Sequence, residues 1–129
     1  MGTFIKNIAE IPYIQELTDN RGEHFTPGLG VIKQGKGKSK FLGVDGVEGP
    51  WFYLLEHPAG TQIPLHKHDA NRIEYILEGM IEFREFGCDR KVYGANTYSY
   101  VAAGTMYEYR VLESTKILLF FDSRPGIIY

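Results

Sequence analysis

Apolar and polar residues alternate through most of the second half of the chain, and turn residues cut the alternation at short intervals. Residues 51–56, 73–77, 80–86, 97–101, 107–111 and 116–121 each read as a strand. The breaks fall at Pro58-Ala-Gly60, Glu78-Gly79 and Ala103-Gly104. The pair Glu78-Gly79 reads as a tight turn, with a new strand starting at Met80. Short strands at regular spacing predict an all-β sandwich or barrel. No segment keeps a helical period beyond about three turns, which excludes a βαβ architecture.

Upstream the pattern is looser. Residues 19–50 are rich in Gly and other turn residues, with short strand candidates at 29–33 and 39–44. Phe4, Ile5, Ile8, Ile11, Ile14 and Leu17 follow no single period, and Pro12 breaks any continuous helix there. An arm or edge strand with one helical turn is expected. No internal repeat or low-complexity tract is present. The whole reads as one domain over 1–129, with an arm at 1–27 and a barrel from about residue 28.

Composition narrows the function classes. The 129 residues can bury a core without disulfides, and the aromatic share of 14%, with nine Tyr and eight Phe, favours strands. A formal net charge of −2 gives no basic face for nucleic acid. The one basic run, Lys33-Gln-Gly-Lys-Gly-Lys-Ser-Lys40, has no helix after it to make a phosphate cradle, so it reads as a solvated loop. Cys88 has no partner for an internal disulfide and sits in the turn-like Gly87-Cys88-Asp89-Arg90, so it reads as a spectator in a reducing compartment. The first residues hold no long apolar region, Lys6 stands where a myristoylation motif needs Ser or Thr, and no run reaches membrane-spanning length. A cytoplasmic protein without membrane partners is expected.

The chemistry concentrates at His66-Lys67-His68. Residues i and i+2 of a strand share a face, so the two imidazoles aim at one point and form half a ligand set for a divalent first-row metal. Spacing alone equally describes two solvent-facing His on an edge strand. The surroundings add weight. Gly60, five residues, His-x-His and a strand ending in Glu78-Gly79 resemble the first motif of the cupin superfamily. Gly94-Ala-Asn-Thr-Tyr-Ser-Tyr-Val-Ala-Ala-Gly104-Thr-Met-Tyr107 resembles the second, with Ala102 where the family usually has Pro and Tyr107 where it usually has His. Within that superfamily, Pro58-Ala-Gly-Thr, Tyr75-Ile-Leu-Glu-Gly and Asn96-Thr-Tyr-Ser-Tyr-Val-Ala-Ala-Gly-Thr look similar to the 2,4′-dihydroxyacetophenone dioxygenase-like group and the cupin domains of certain anti-sigma factors.

The resemblance implies a single-domain cupin: a double-stranded β-helix, or jelly-roll barrel, with an N-terminal arm. It implies a mononuclear metal, Fe(II) first with Zn, Ni or Mn as alternatives, and a site that can also lack one. The place of the family's acidic ligand falls on Arg72, which cannot bind a cation. In the subgroup an acid stands on the next strand, which maps to Glu85; Glu74, on the face of Arg72, is the second candidate, unless it forms an internal ion pair with that Arg. Tyr107 would enter the site as a phenolate ligand, a hydrogen-bond donor or a general acid. Arg72, Glu74 and Ile76, with Tyr98 and Tyr100, are expected to line a pocket for a small, partly apolar substrate, with Arg72 clamping an anionic oxygen. His57 and His24 lie near turn signals and are not expected to be ligands.

Three functions remain open on this reading. One is oxygenative C–C cleavage of a diketone or hydroxyaryl-ketone-like substrate by a metal at His66, His68, Glu85 and Tyr107. Another is an isomerase, lyase or cyclase, with or without metal, in which Tyr107, Arg72 and Glu74 act on substrate. The third is a non-enzymatic sensor of a small molecule or metal. Outward Ile73, Tyr75 and Leu77, with the apolar arm, fit a homodimer.

Overall fold

The computed structural model describes residues 2–14, 17–18, 24–26, 30–31, 37–44, 46–123 and 127–128. Its strands in chain order are β1 (Leu17–Thr18), β2 (His24–Thr26), β3 (Gly30–Val31), β4 (Lys38–Phe41), β5 (Trp51–His57), β6 (Gln62–His68), β7 (Arg72–Glu85), β8 (Lys91–Gly94), β9 (Tyr98–Val101), β10 (Tyr107–Phe121) and β11 (Ile127–Ile128). The arm contains one 3₁₀ turn at Ile8–Glu10, capped by the Asn7 side chain accepting from the Ala9 amide. No helix among the described residues is long and apolar enough to cross a membrane.

Two long strands organise the barrel. β7 and β10 stay paired antiparallel through most of their length, and each bends at a register shift near its middle. Their outer partners differ on either side of the bend. On one face the order is β6, the first half of β10, the second half of β7, then β8. On the other it is β9, the first half of β7, the second half of β10, β5 and β4. Glu78-Gly79 is therefore a corner within one strand, and not the tight turn between two strands expected from the sequence. The corner has a physical cause. Gly79 sits at φ +100°, where side chains are rarely tolerated, and a Cβ there would collide with Thr115 Oγ1 and Ser114 O. The Thr115 hydroxyl fills that space instead. It donates to Glu113 O at 2.7 Å and accepts from the Met80 amide at 3.1 Å, replacing ladder bonds lost at the bend.

Alternation decides what fills the barrel. Odd-numbered residues of β10 point inward except Glu113 at the bend, and Ile117, Leu119 and Phe121 are wholly shielded. Leu55, Ile63, Ile76 and Ile81 join them from other strands, and Val111 from β10 itself. Fully burying each such side chain stabilises by roughly 1.5–3 kcal/mol. The outer surface is two-sided. Beyond β7 and β10 on the β6 side, Arg84 pairs with Glu108 at 2.8 Å, and Glu82 pairs with both Arg90 and Arg110 at 3.1 Å. On the β5 side, Ile73, Leu77, Tyr98 and Tyr100 stand exposed.

Candidate functional site

Both imidazoles of the His-x-His pair point into the barrel, where His66 is 1% and His68 5% exposed. A bulge aims them. Tyr107 faces His66 while Tyr109 faces Ile63, so β6 spends one extra residue between those two rungs. Pro64 falls in this irregular stretch, where a missing amide hydrogen costs least. The Pro64 carbonyl then accepts a 2.6 Å hydrogen bond from His66 Nδ1. A carbonyl can only accept, so Nδ1 carries the proton. Burial lowers the His66 pKa from 6.5 to about 4, an effect the Pro64 bond opposes and Arg72 reinforces. The neutral ring thus presents a bare Nε2 lone pair to the interior.

That lone pair faces two further donor atoms. His66 Nε2 lies 3.2 Å from His68 Nε2, which lies 3.0 Å from Tyr107 Oη. Ligand atoms about 2.0–2.1 Å from one shared ion sit at such mutual spacings. The donor chemistry of the trio therefore fits a divalent first-row metal, with two imidazoles and one phenol. Among the described residues, no group of three His, Cys, Asp or Glu converges in this way, so the set reaches three only through Tyr107. Burial raises the Tyr107 pKa, and Arg72 alone opposes that shift with positive charge. The ring is held flat against Phe83, with centroids 5.5 Å apart and planes 19° apart.

Across the cavity, β7 supplies a buried ion pair. Arg72 Nη2 and Glu74 Oε1 are 2.8 Å apart, and both residues are almost fully shielded. The Arg72 guanidinium carbon sits 4.1 Å from the centre of the Tyr107 ring. Burial works against the Arg72 cation, but the Glu74 carboxylate and the Tyr107 and Tyr109 hydroxyls outweigh it and raise its pKa. Arg72 Nη2 and Glu74 Oε1 partner each other in this ion pair, while Arg72 Nε is buried without a hydrogen-bond partner among the described residues. The site therefore holds an unused donor at Arg72 Nε beside the Glu74 carboxylate.

The structure brings together His66, His68, Arg72, Glu74 and Tyr107. It does not bring Glu85 to them. Glu85 stands opposite Tyr107 on the ladder, but at the exposed end of β7, where its carboxylate accepts from the Cys88 thiol at 3.5 Å. Tyr98 and Tyr100 are 72% and 61% exposed; Tyr98 still borders the cavity that Glu74 and Ile76 line, whereas Tyr100 does not. Their rungs pair them with Tyr75 and Ile73, residues of the outer face, so Ser99 and Val101 are the inward members of β9. Sequence reasoning missed His57. It ends β5 facing inward, fully buried, and its Nε2 shares a 2.9 Å hydrogen bond with Tyr109 Oη. The signal was present in the parity of Tyr53, Leu55 and His57, masked by the turn at Pro58. The side chain of His24 lies outside the described residues.

Fold and site together define a cupin-fold barrel: antiparallel, jelly-roll, with a histidine-bearing interior. Solved structures agree. The chain is similar to a polyketide cyclase from Streptomyces resistomycificus, with TM-score 0.71 and 15% identity over 97% of this chain and 84% of that one. It is similar to a predicted oxalate decarboxylase from Thermotoga maritima, with TM-score 0.67 and 18% identity over 92% and 97%. It is also similar to an RmlC-like cupin from Shewanella frigidimarina, with TM-score 0.60 and 21% identity over 79% and 91%. At these identities the likeness is one of fold. No protein-family model and no curated protein matches the chain.

Proposed function

We propose that this protein is a small-molecule cupin enzyme that moves a proton on an enolisable carbonyl substrate, as an isomerase, lyase or cyclase. The observation that carries this reading is the buried Arg72–Glu74 pair, with Arg72 Nε unpartnered among the described residues, set against the Tyr107 ring. A desolvated carboxylate with a free lone pair can accept a substrate proton, and the guanidinium beside it can bind the oxygen on which negative charge grows. Tyr107, neutral at physiological pH, can return a proton from the far side. The apolar walls keep bulk water from competing for these groups. His66, His68 and Tyr107 are the residues that would hold a divalent metal. When bound, such an ion would polarise the substrate oxygen as a Lewis acid.

Oxygenative C–C cleavage is the second reading. It is favoured by the small number of protein donors, which would leave coordination positions open. It is weakened by the distance of Glu85 from the donor trio. One experiment separates the two. The protein is loaded with Fe(II) and offered β-diketones and hydroxyaryl ketones in deuterated water. Exchange of the α-proton without oxygen uptake supports proton transfer, and Glu74→Gln should abolish it. Stoichiometric oxygen uptake would replace this reading with the oxygenase. Neither exchange nor uptake on any substrate would leave a binding protein.

A further inference from the structure

The two imidazoles of the His-x-His pair are held by different means. His66 shares a rung with Tyr107 and donates from Nδ1 to the Pro64 carbonyl. The β6–β10 ladder ends at that rung, so His68 lies beyond it. The His68 carbonyl accepts from the Gly104 amide at 2.8 Å, and Ile127 of β11 stands opposite His68 on the other edge of β6. Gly104 belongs to the turn Ala102–Thr105, closed by the Thr105 amide donating to the Ala102 carbonyl at 3.1 Å. We infer that Asn71 and Asp122 are positioning residues that set the place of His68, and with it the spacing of the donor trio. This rests on the metal-holding reading of His66, His68 and Tyr107 above and adds what keeps that set in register.

The hydrogen bonds form a closed circuit around His68. Asn71 Oδ1 accepts from the Ala103 amide at 2.8 Å, one residue before the amide that holds the His68 carbonyl. Asn71 Nδ2 donates to Asp122 Oδ2 at 2.8 Å, and the Asn71 amide donates to Asp122 Oδ1 at 3.1 Å. The Asp122 amide donates back to the Asn71 carbonyl at 3.2 Å. One asparagine thus ties the turn at 102–105 to the end of β10, and a carboxylate acceptor makes its two bonds stronger than neutral ones. Packing closes the circuit. Asp122 follows Phe121, whose shielded ring lies 5.3 Å from the His68 ring, centroid to centroid. The clasp therefore reaches His68 through its carbonyl and again through its ring. His68 Nε2 lies 3.2 Å from His66 Nε2 and 3.0 Å from Tyr107 Oη, so a displaced His68 changes both spacings at once. Contacts that orient a ligand from outside the ligand set are worth about 10–100-fold in metal affinity.

The test titrates Co(II) alone into the full chain, reading affinity and visible absorption, and follows the histidine ring NMR signals of the metal-free protein. Asn71→Asp sets two carboxylates face to face, and Asp122→Asn sets two amides face to face. The double variant exchanges the two groups and restores every side-chain contact of the clasp. Each single variant should weaken Co(II) binding roughly tenfold or more and move the His68 signals further than those of His66. The double variant should return both to the parent values. Ala103→Pro removes only the amide that Asn71 accepts from, at a turn position that favours Pro, and replaces the single variants if either unfolds. A lower thermal midpoint with unchanged Co(II) affinity and unchanged His68 signals would reduce the clasp to a part of the scaffold and overturn the inference. A double variant as weak as the single ones would overturn it too. A parent chain that binds no Co(II) would remove the metal reading and leave the His68 signals to decide: movement in the single variants with recovery in the double keeps the clasp, and no movement ends it.

Discussion

The Arg72 guanidinium lies 4.1 Å from the centre of the Tyr107 ring, and this contact joins the two halves of the barrel interior. On one side of it stand the imidazoles of His66 and His68; on the other stands the Glu74 carboxylate. Each group is buried, so each depends on its neighbour for charge balance.

That dependence predicts a non-additive mutant cycle. Arg72→Met leaves the Glu74 charge buried and unpaired, and Glu74→Leu does the same to Arg72. Each single change should cost about 3–5 kcal/mol, while the double variant should recover most of the loss. Urea unfolding of the four proteins measures the coupling. Additive losses would show that the pair is not energetically linked.

Stability should fall as the solution is acidified, and His57 is a principal cause. Burial lowers its pKa from 6.5 to about 4. Between those values the unfolded chain takes up a proton that the folded chain refuses, so stability is complete above about pH 6.5 and declines toward pH 4. The slope is at most ~1.4 kcal/mol per pH unit for one such group. In the metal-free protein His66 adds a parallel contribution. His57→Gln retains a partner for Tyr109 and should flatten the profile. Unfolding midpoints measured from pH 4 to 7 give the comparison, and identical profiles would refute the assignment.

The corner at Gly79 predicts an intolerant position. Gly79→Ala combines an unfavourable φ with a collision against Thr115 Oγ1 and Ser114 O, and should cost more than about 3 kcal/mol. Gly87→Ala is the control. Its φ of +82° is also positive, but open space surrounds the added carbon, so about 1 kcal/mol is expected. Thermal unfolding of both variants decides whether the collision or the backbone angle dominates.

Much of this was legible in the sequence, because strand alternation reports which face a residue takes. His66, His68, Arg72, Glu74 and Ile76 point inward as their parity requires. Alternation does not report phase, however. Tyr98-Ser99-Tyr100-Val101 alternates equally well with either set inside, and only its rungs with Tyr75 and Ile73 place the tyrosines outside. Nor does it report where a strand ends relative to the barrel mouth, which is why Glu85 shares a rung with Tyr107 yet stands in solvent. The bends of β7 and β10 were hidden for a related reason. A glycine that turns a corner and one that closes a hairpin look alike until the partner strand is known.

Tyr107→Phe tests the donor trio directly. The ring keeps its stacking on Phe83 and its contact with Arg72, so loss of one hydrogen bond should lower stability by about 1 kcal/mol. Metal retention, read by elemental analysis after dialysis, should fall by roughly tenfold or more. Unchanged retention would remove Tyr107 from the ligand set.

The exposed cluster of Ile73, Leu77, Tyr98 and Tyr100 predicts association between copies of this chain. Light scattering should show a dimer, and Tyr100→Glu combined with Ile73→Lys should return it to monomer. A monomeric parent protein would contradict this.

The opposite flank limits how far such association can go. Among the described residues, Arg84, Arg90 and Arg110 are tied to Glu82 and Glu108, so the charges of that surface are already engaged with one another around the exposed Val92. A flank whose charges are mutually neutralised gives a second copy little to grip, so association through the Tyr98–Tyr100 side favours a closed pair over a growing filament.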